Sequence, residues 1–118
     1  MKIESYRDLE AYKKGYSLVI LIYHVTKSFP PQELYGITSQ IRRAVVSIPS
    51  NIAEGFVRGS KEYIQFLKIA LGSSTETETL LALSRDLNFL SSADFDKAYN
   101  LNTEVIKLLR HYIKRLSL

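Results

Sequence analysis

Three prolines and five glycines are the only strong helix breakers in this 118-residue chain, and they cluster at a few places. The stretches between them repeat apolar residues three and four positions apart, the spacing of amphipathic helices. The pattern predicts helices over residues 6–27, 34–57, 61–90 and 93–116. Neither a repeat, a low-complexity tract nor a linker divides the chain, so residues 1–118 read as one domain. The connections are short, which makes successive helices antiparallel. The expected fold is therefore all-α, an up-down-up-down antiparallel four-helix bundle.

The start signals are specific. Ser5 is placed to cap the first helix, with Asp8 as a capping-box partner, and Ser60 and Ser91 or Ser92 to cap the third and fourth. Pro30 and Pro31 end the first helix by forcing extended geometry. Pro49 falls inside the second, away from its core stripe of Ile37, Ile41, Ala44, Val45, Ile48 and Ile52. It predicts a bend there, or else a break into two helices. The fourth helix shows one core stripe through Phe95, Ala98, Val105, Leu109, Tyr112 and Leu116. The first and third are apolar over more of their circumference than one bundle core uses. The first carries two stripes, Leu9-Tyr12-Tyr16-Val19-Tyr23 and Ala11-Leu18-Ile22-Val25. The third carries three, marked by Phe66, Leu83 and Leu71. Such helices are buried on several sides, so a second copy of the chain is expected to cover the excess.

Polar residues also recur at helical spacing. Gln40, Arg43, Ser47, Asn51 and Glu54 share one side of the second helix, and residues 72–79 form a polar middle in the third. Counting back from the turn between the two places Glu76 opposite Arg43. An Arg43–Glu76 ion pair is expected, with Ser47 near Ser73 and Gly72 allowing close approach. Two readings stay open for Arg43, Ser47, Asn51, Glu54, Ser73 and Glu76: a layer that fixes register, or a groove for a ligand or partner.

Net charge is +4 and the pI about 9.3, which permits an acidic partner without demanding one. The charges are unevenly placed. The pole holding the chain termini and the turn between helices two and three carries eleven Lys and Arg against six Asp and Glu; the other pole carries five against six. A basic end is the footprint expected of a protein that contacts phosphate backbones, or it is a solvated charged end. Catalysis has little support. His24 and His111 lack metal-ligand spacing and read as surface residues. No Glu-x-x-His pair and no glycine-rich phosphate loop occurs. No metal or cofactor is expected. The chain has no Cys, which suits a reducing cytoplasm. The N-terminus alternates charge and has no signal-peptide core. Residues 18–23, the densest apolar run, are too short to span a bilayer, which takes roughly 20 residues.

The stretch from Gln40 to Gly55, QIRRAVVSIPSNIAEG, resembles the signature of bacterial four-helix-bundle proteins encoded in intervening sequences of 23S rRNA genes. The likeness continues through Arg58-Gly-Ser60, Glu62-Tyr63, Phe66-Leu67, Ile69-Ala70, Gly72-Ser73, Glu76 and Glu78, and upstream in Phe29-Pro30, Glu33 and Tyr35-Gly36. Thr75-Glu-Thr-Glu-Thr79 departs from it, being more polar than the family's usual segment. The resemblance implies a homopentameric ring. It also implies kinship with the accessory variability protein of diversity-generating retroelements, which binds nucleic acid and contacts a reverse transcriptase. It supplies no catalytic residues.

These observations lead to a non-enzymatic, cytoplasmic homo-oligomer that binds RNA or DNA backbone through its basic pole. Arg58, Lys61, Lys107, Arg110, Lys114 and Arg115 are the expected contacts. The alternative is a protein–protein scaffold, for example for a reverse transcriptase, that never touches nucleic acid. A small-ligand site on the polar stripe is the third reading.

Overall fold

A computed structural model of the chain describes residues 3–118. Lys2, counted above at the basic pole, lies outside the described residues. Four helices run α1 Glu10–Val25, α2 Ser39–Arg58, α3 Ser60–Asp86 and α4 Ser92–Leu116, with no strand among the described residues. Consecutive helices pack as neighbours and α1 also packs on α4, which closes a four-helix bundle. The body is elongated, 43 × 24 × 22 Å.

The helix ends show where local chemistry overrules periodicity. Ser5 and Asp8 do form reciprocal bonds: Ser5 Oγ accepts from the Arg7 N–H at 3.2 Å, and Asp8 Oδ2 accepts from the N–H groups of Ser5 and Glu4 at 3.1 and 2.9 Å. They close a separate 3-10 turn, Tyr6–Asp8, because Leu9 is extended, and α1 begins only at Glu10. Residues 34–38 form a wide π turn before α2, with the Glu33 carboxylate accepting from the Ile37 N–H at 3.4 Å. Ser60 is inside α3 and caps nothing. The break is Gly59 alone, at φ +101°, a left-handed geometry that favours glycine. At the far end α3 stops at Asp86, four residues early. Asn88 adopts φ +62°, the Phe89 N–H reaches the Ser84 carbonyl at 2.8 Å, and the Asn88 N–H reaches that of Arg85 at 3.0 Å. That is a Schellman closure with Asn in place of Gly. Ser91 caps α4, its Oγ accepting from the Asp94 N–H at 3.1 Å.

The α2 stripe from Ile37 to Ile52 is buried, as are Phe95, Ala98, Val105 and Leu109 of α4. Pro49 is a correction. It is buried, not turned from the core, and α2 passes through it without a break. Its ring packs toward Gly15 of α1, where a Cβ would sit 3.6 Å from Pro49 Cδ. Of the two α1 stripes, Ala11-Leu18-Ile22-Val25 with Gly15 is the core one. Tyr16, Ile20 and Tyr23 face outward, Tyr16 and Ile20 at 56% and 61% exposure. Close approach of α2 to α3 is set at Gly55, not Gly72. A Cβ on Gly55 would lie 2.6 Å from Phe66 Cβ, whereas Gly72 is exposed with nothing within 4 Å.

Candidate functional site

The seam between α2 and α3 carries hydrogen bonds in place of an ion pair. Ser47 Oγ and Ser73 Oγ lie 2.8 Å apart, and Asn51 Nδ2 donates to both the Ser47 carbonyl and Ser47 Oγ at 2.8 Å. Arg43 and Glu76 line the same shallow cleft, of about 240 Å³, but make no ion pair within 4 Å among the described residues. Both are exposed. At such a rim a pair gains only about 0–1 kcal/mol and has to immobilise two long side chains, so each stays solvated. Glu54 leaves this seam for Arg58, 3.6 Å away.

A second polar layer lies deeper. Ser74, Thr77, Ser84 and Asn102 are fully buried. Asn102 Nδ2 donates to the Ser74 carbonyl at 2.9 Å, joining α4 to α3. Thr77 and Ser84 donate to carbonyls one turn back, Ser73 and Leu80, at 2.8 and 2.7 Å. Ser74 Oγ and Asn102 Oδ1 have no hydrogen-bond partner among the described residues. Sequence reasoning passed over Asn102, yet the signal was present: it occupies the core stripe between Ala98 and Val105, where a buried Asn specifies register.

The basic pole divides into paired and unpaired cations. Arg58 is held between Glu54 at 3.6 Å and Glu62 at 3.1 Å, over the Phe66 ring at 5.1 Å. Its hydrogen bond to Glu62, with the Glu54 carboxylate close by, raises the guanidinium above its ordinary value. Lys13 pairs with Glu10 at 3.6 Å, and Lys14 with Glu104 at 3.5 Å. Lys61, Lys107, Arg110, Lys114 and Arg115 are exposed and make no ion pair among the described residues. Four of these five sit on the last turns of α4. Among the described residues, no group of three or more His, Asp or Glu could hold a metal, and no helix is long and apolar enough to cross a membrane.

The third surface is aromatic. Tyr12, Tyr16 and Ile20 of α1 with Val46 and Pro49 of α2 border an open cleft of about 400 Å³. Beyond it, the Arg42 guanidinium stacks over Tyr23 at 4.7 Å and its Nε donates to Thr26 Oγ1 at 2.9 Å.

Residues 7–111 match the family model described as 23S rRNA-intervening sequence protein. The chain belongs to that family. A solved relative is a protein of unknown function from the S23 ribosomal protein family of Bacteroides thetaiotaomicron VPI-5482. The two are 28% identical with a TM-score of 0.81, over 88% of this chain and 98% of the other. None of the curated proteins compared with the chain matches it. As a 23S rRNA-intervening sequence protein, the chain shares its helical bundle with that relative.

Proposed function

We propose that this family member is a non-enzymatic homo-oligomer of the cytoplasm that binds RNA or DNA backbone through the basic pole. The observation that carries the reading is the cluster of Lys61, Lys107, Arg110, Lys114 and Arg115, exposed at one end without carboxylate partners among the described residues. Cations left unneutralised by the protein are free to displace counterions from phosphates. Arg58, held by two carboxylates, is the weakest of the expected contacts. Backbone contacts of this kind carry no base-edge readout.

Self-association, as the pentamer the family resemblance implies, is supported by Tyr16, Ile20 and Tyr23 on one flank and Ile69, Leu83 and Leu87 on another. Two separate apolar surfaces on one chain suit head-to-tail contacts that close into a ring. The same surfaces support the second reading, a scaffold for another protein such as a reverse transcriptase.

Binding to duplex and single-stranded RNA, measured across a salt series, tests the proposal. The logarithm of affinity is expected to fall linearly with the logarithm of salt, and the triple substitution Arg110→Ala, Lys114→Ala, Arg115→Ala to flatten that slope by about 2–3. No binding at low salt sinks the reading.

A further inference from the structure

One of the unpaired cations, Arg115, lines a cleft that backbone binding alone does not use. It measures about 420 Å³, within the range of roughly 300–1,000 Å³ usual for ligand sites. Leu9 ahead of α1, Tyr63 on the first turn of α3, and His111, Tyr112, Arg115 and Leu116 at the end of α4 form its walls. The walls are mostly apolar and two of them are aromatic.

The aromatic walls are held in different ways. Tyr63 meets Phe56 edge-on at 6.0 Å, and its ring lies against Gly55, so packing fixes its plane. Tyr112 is half-buried beside His111. No hydrogen bond among the described residues engages the hydroxyl of either tyrosine. Of the carboxylates at this end, Glu62 is paired with Arg58, and Asp8 is turned to the backbone N–H groups of Glu4 and Ser5, which hold it ionised. Arg115 is the cation on the wall, and it makes no ion pair among the described residues.

A purely anionic ligand would leave the tyrosines without a role, and a purely apolar one would leave Arg115 without one. Duplex stacks its bases inside and offers the cleft only phosphates. A flat apolar ring joined to a phosphate satisfies both halves. We propose that the Tyr63–Tyr112 cleft takes an unpaired base of single-stranded nucleic acid, stacked on Tyr112, with a flanking phosphate on Arg115. Stacking of this kind tolerates any base and adds to an electrostatic groove. The inference rests on the nucleic-acid reading above and adds that single strands are preferred.

The test uses the full chain at low salt with three probes of equal length. These are a single-stranded RNA carrying 2-aminopurine, the same sugar–phosphate strand without bases, and an RNA duplex. The base-bearing strand is expected to bind about tenfold or more tightly than the abasic strand, with quenched 2-aminopurine fluorescence. Tyr112→Phe is expected to keep that preference. Tyr112→Leu is expected to lose it while still binding the abasic strand. Equal binding of base-bearing and abasic strands overturns the stacking site and leaves backbone binding standing. A Tyr112→Leu protein that keeps full quenching and preference overturns the assignment to this cleft. Binding of none of the probes overturns the nucleic-acid reading together with it.

Discussion

At the residue scale, Tyr63 and two glycines give the sharpest tests. Burial raises the Tyr63 phenol from 10.0 to about 12. Desolvation disfavours the phenolate, with a smaller contribution from Tyr112. The folded state therefore holds this proton more tightly than the unfolded chain. Its contribution to stability is complete below about pH 10 and is lost as pH rises toward 12. A tyrosinate absorbance titration should show a late step near 12 that Tyr63→Phe removes; a Tyr63→Phe titration identical to the parent would contradict this. The glycines test helix approach. Gly55→Ala places a Cβ 2.6 Å from Phe66 Cβ and should cost about 1–3 kcal/mol in denaturant melts. Gly72→Ala meets nothing within 4 Å in an exposed helix interior and should stabilise by about 0.5–1 kcal/mol. A loss at Gly72 would mean that something outside the protomer packs against it.

At the element scale, the existence and order of the four helices were legible because breakers are few and core stripes clean. The α2–α3 turn and both ends of α4 were legible to within a residue, but the starts of α1 and α2 and the end of α3 were not, because extended Leu9, the wide turn over residues 34–38 and left-handed Asn88 are backbone geometry that periodicity does not encode. Which α1 stripe faces the core was also illegible, since both are apolar and only packing against Pro49 and Ile48 selects the one containing Gly15. Of the candidate site, the Ser47–Ser73 contact could be placed by counting residues along an antiparallel pair. The Arg43–Glu76 pair could be placed too, but adjacency is not pairing when both charges remain in water. The buried layer makes its own prediction. Asn102→Ala removes the bond to the Ser74 carbonyl and opens a cavity, so it should cost about 2–4 kcal/mol. Ser74→Ala removes a buried hydroxyl that lacks a partner among the described residues and should be neutral or stabilise by about 1 kcal/mol. Equal losses from the two would mean that the Ser74 hydroxyl is satisfied by a buried water.

At the scale of the whole molecule, the basic pole and the aromatic flank are coupled if copies assemble side by side. Cyclic symmetry about an axis along the bundle would carry every basic pole to the same end of the ring. A strand crossing that end would meet several cleft-and-cation sites at once, and linked sites raise avidity by about 10²–10⁴ without new contacts. Ile20 and Tyr16 both face solvent in the protomer, so replacing them leaves the core untouched. Ile20→Lys with Tyr16→Lys should therefore keep the helical signal and melting cooperativity while light scattering reports a fall to monomer mass. The same variant should bind single-stranded RNA at least tenfold more weakly than the parent at equal salt, although it adds positive charge. Added charge alone predicts the opposite, tighter binding with a steeper salt slope. A monomeric variant that binds as tightly as the parent would uncouple flank from pole and leave each protomer as a complete binding unit.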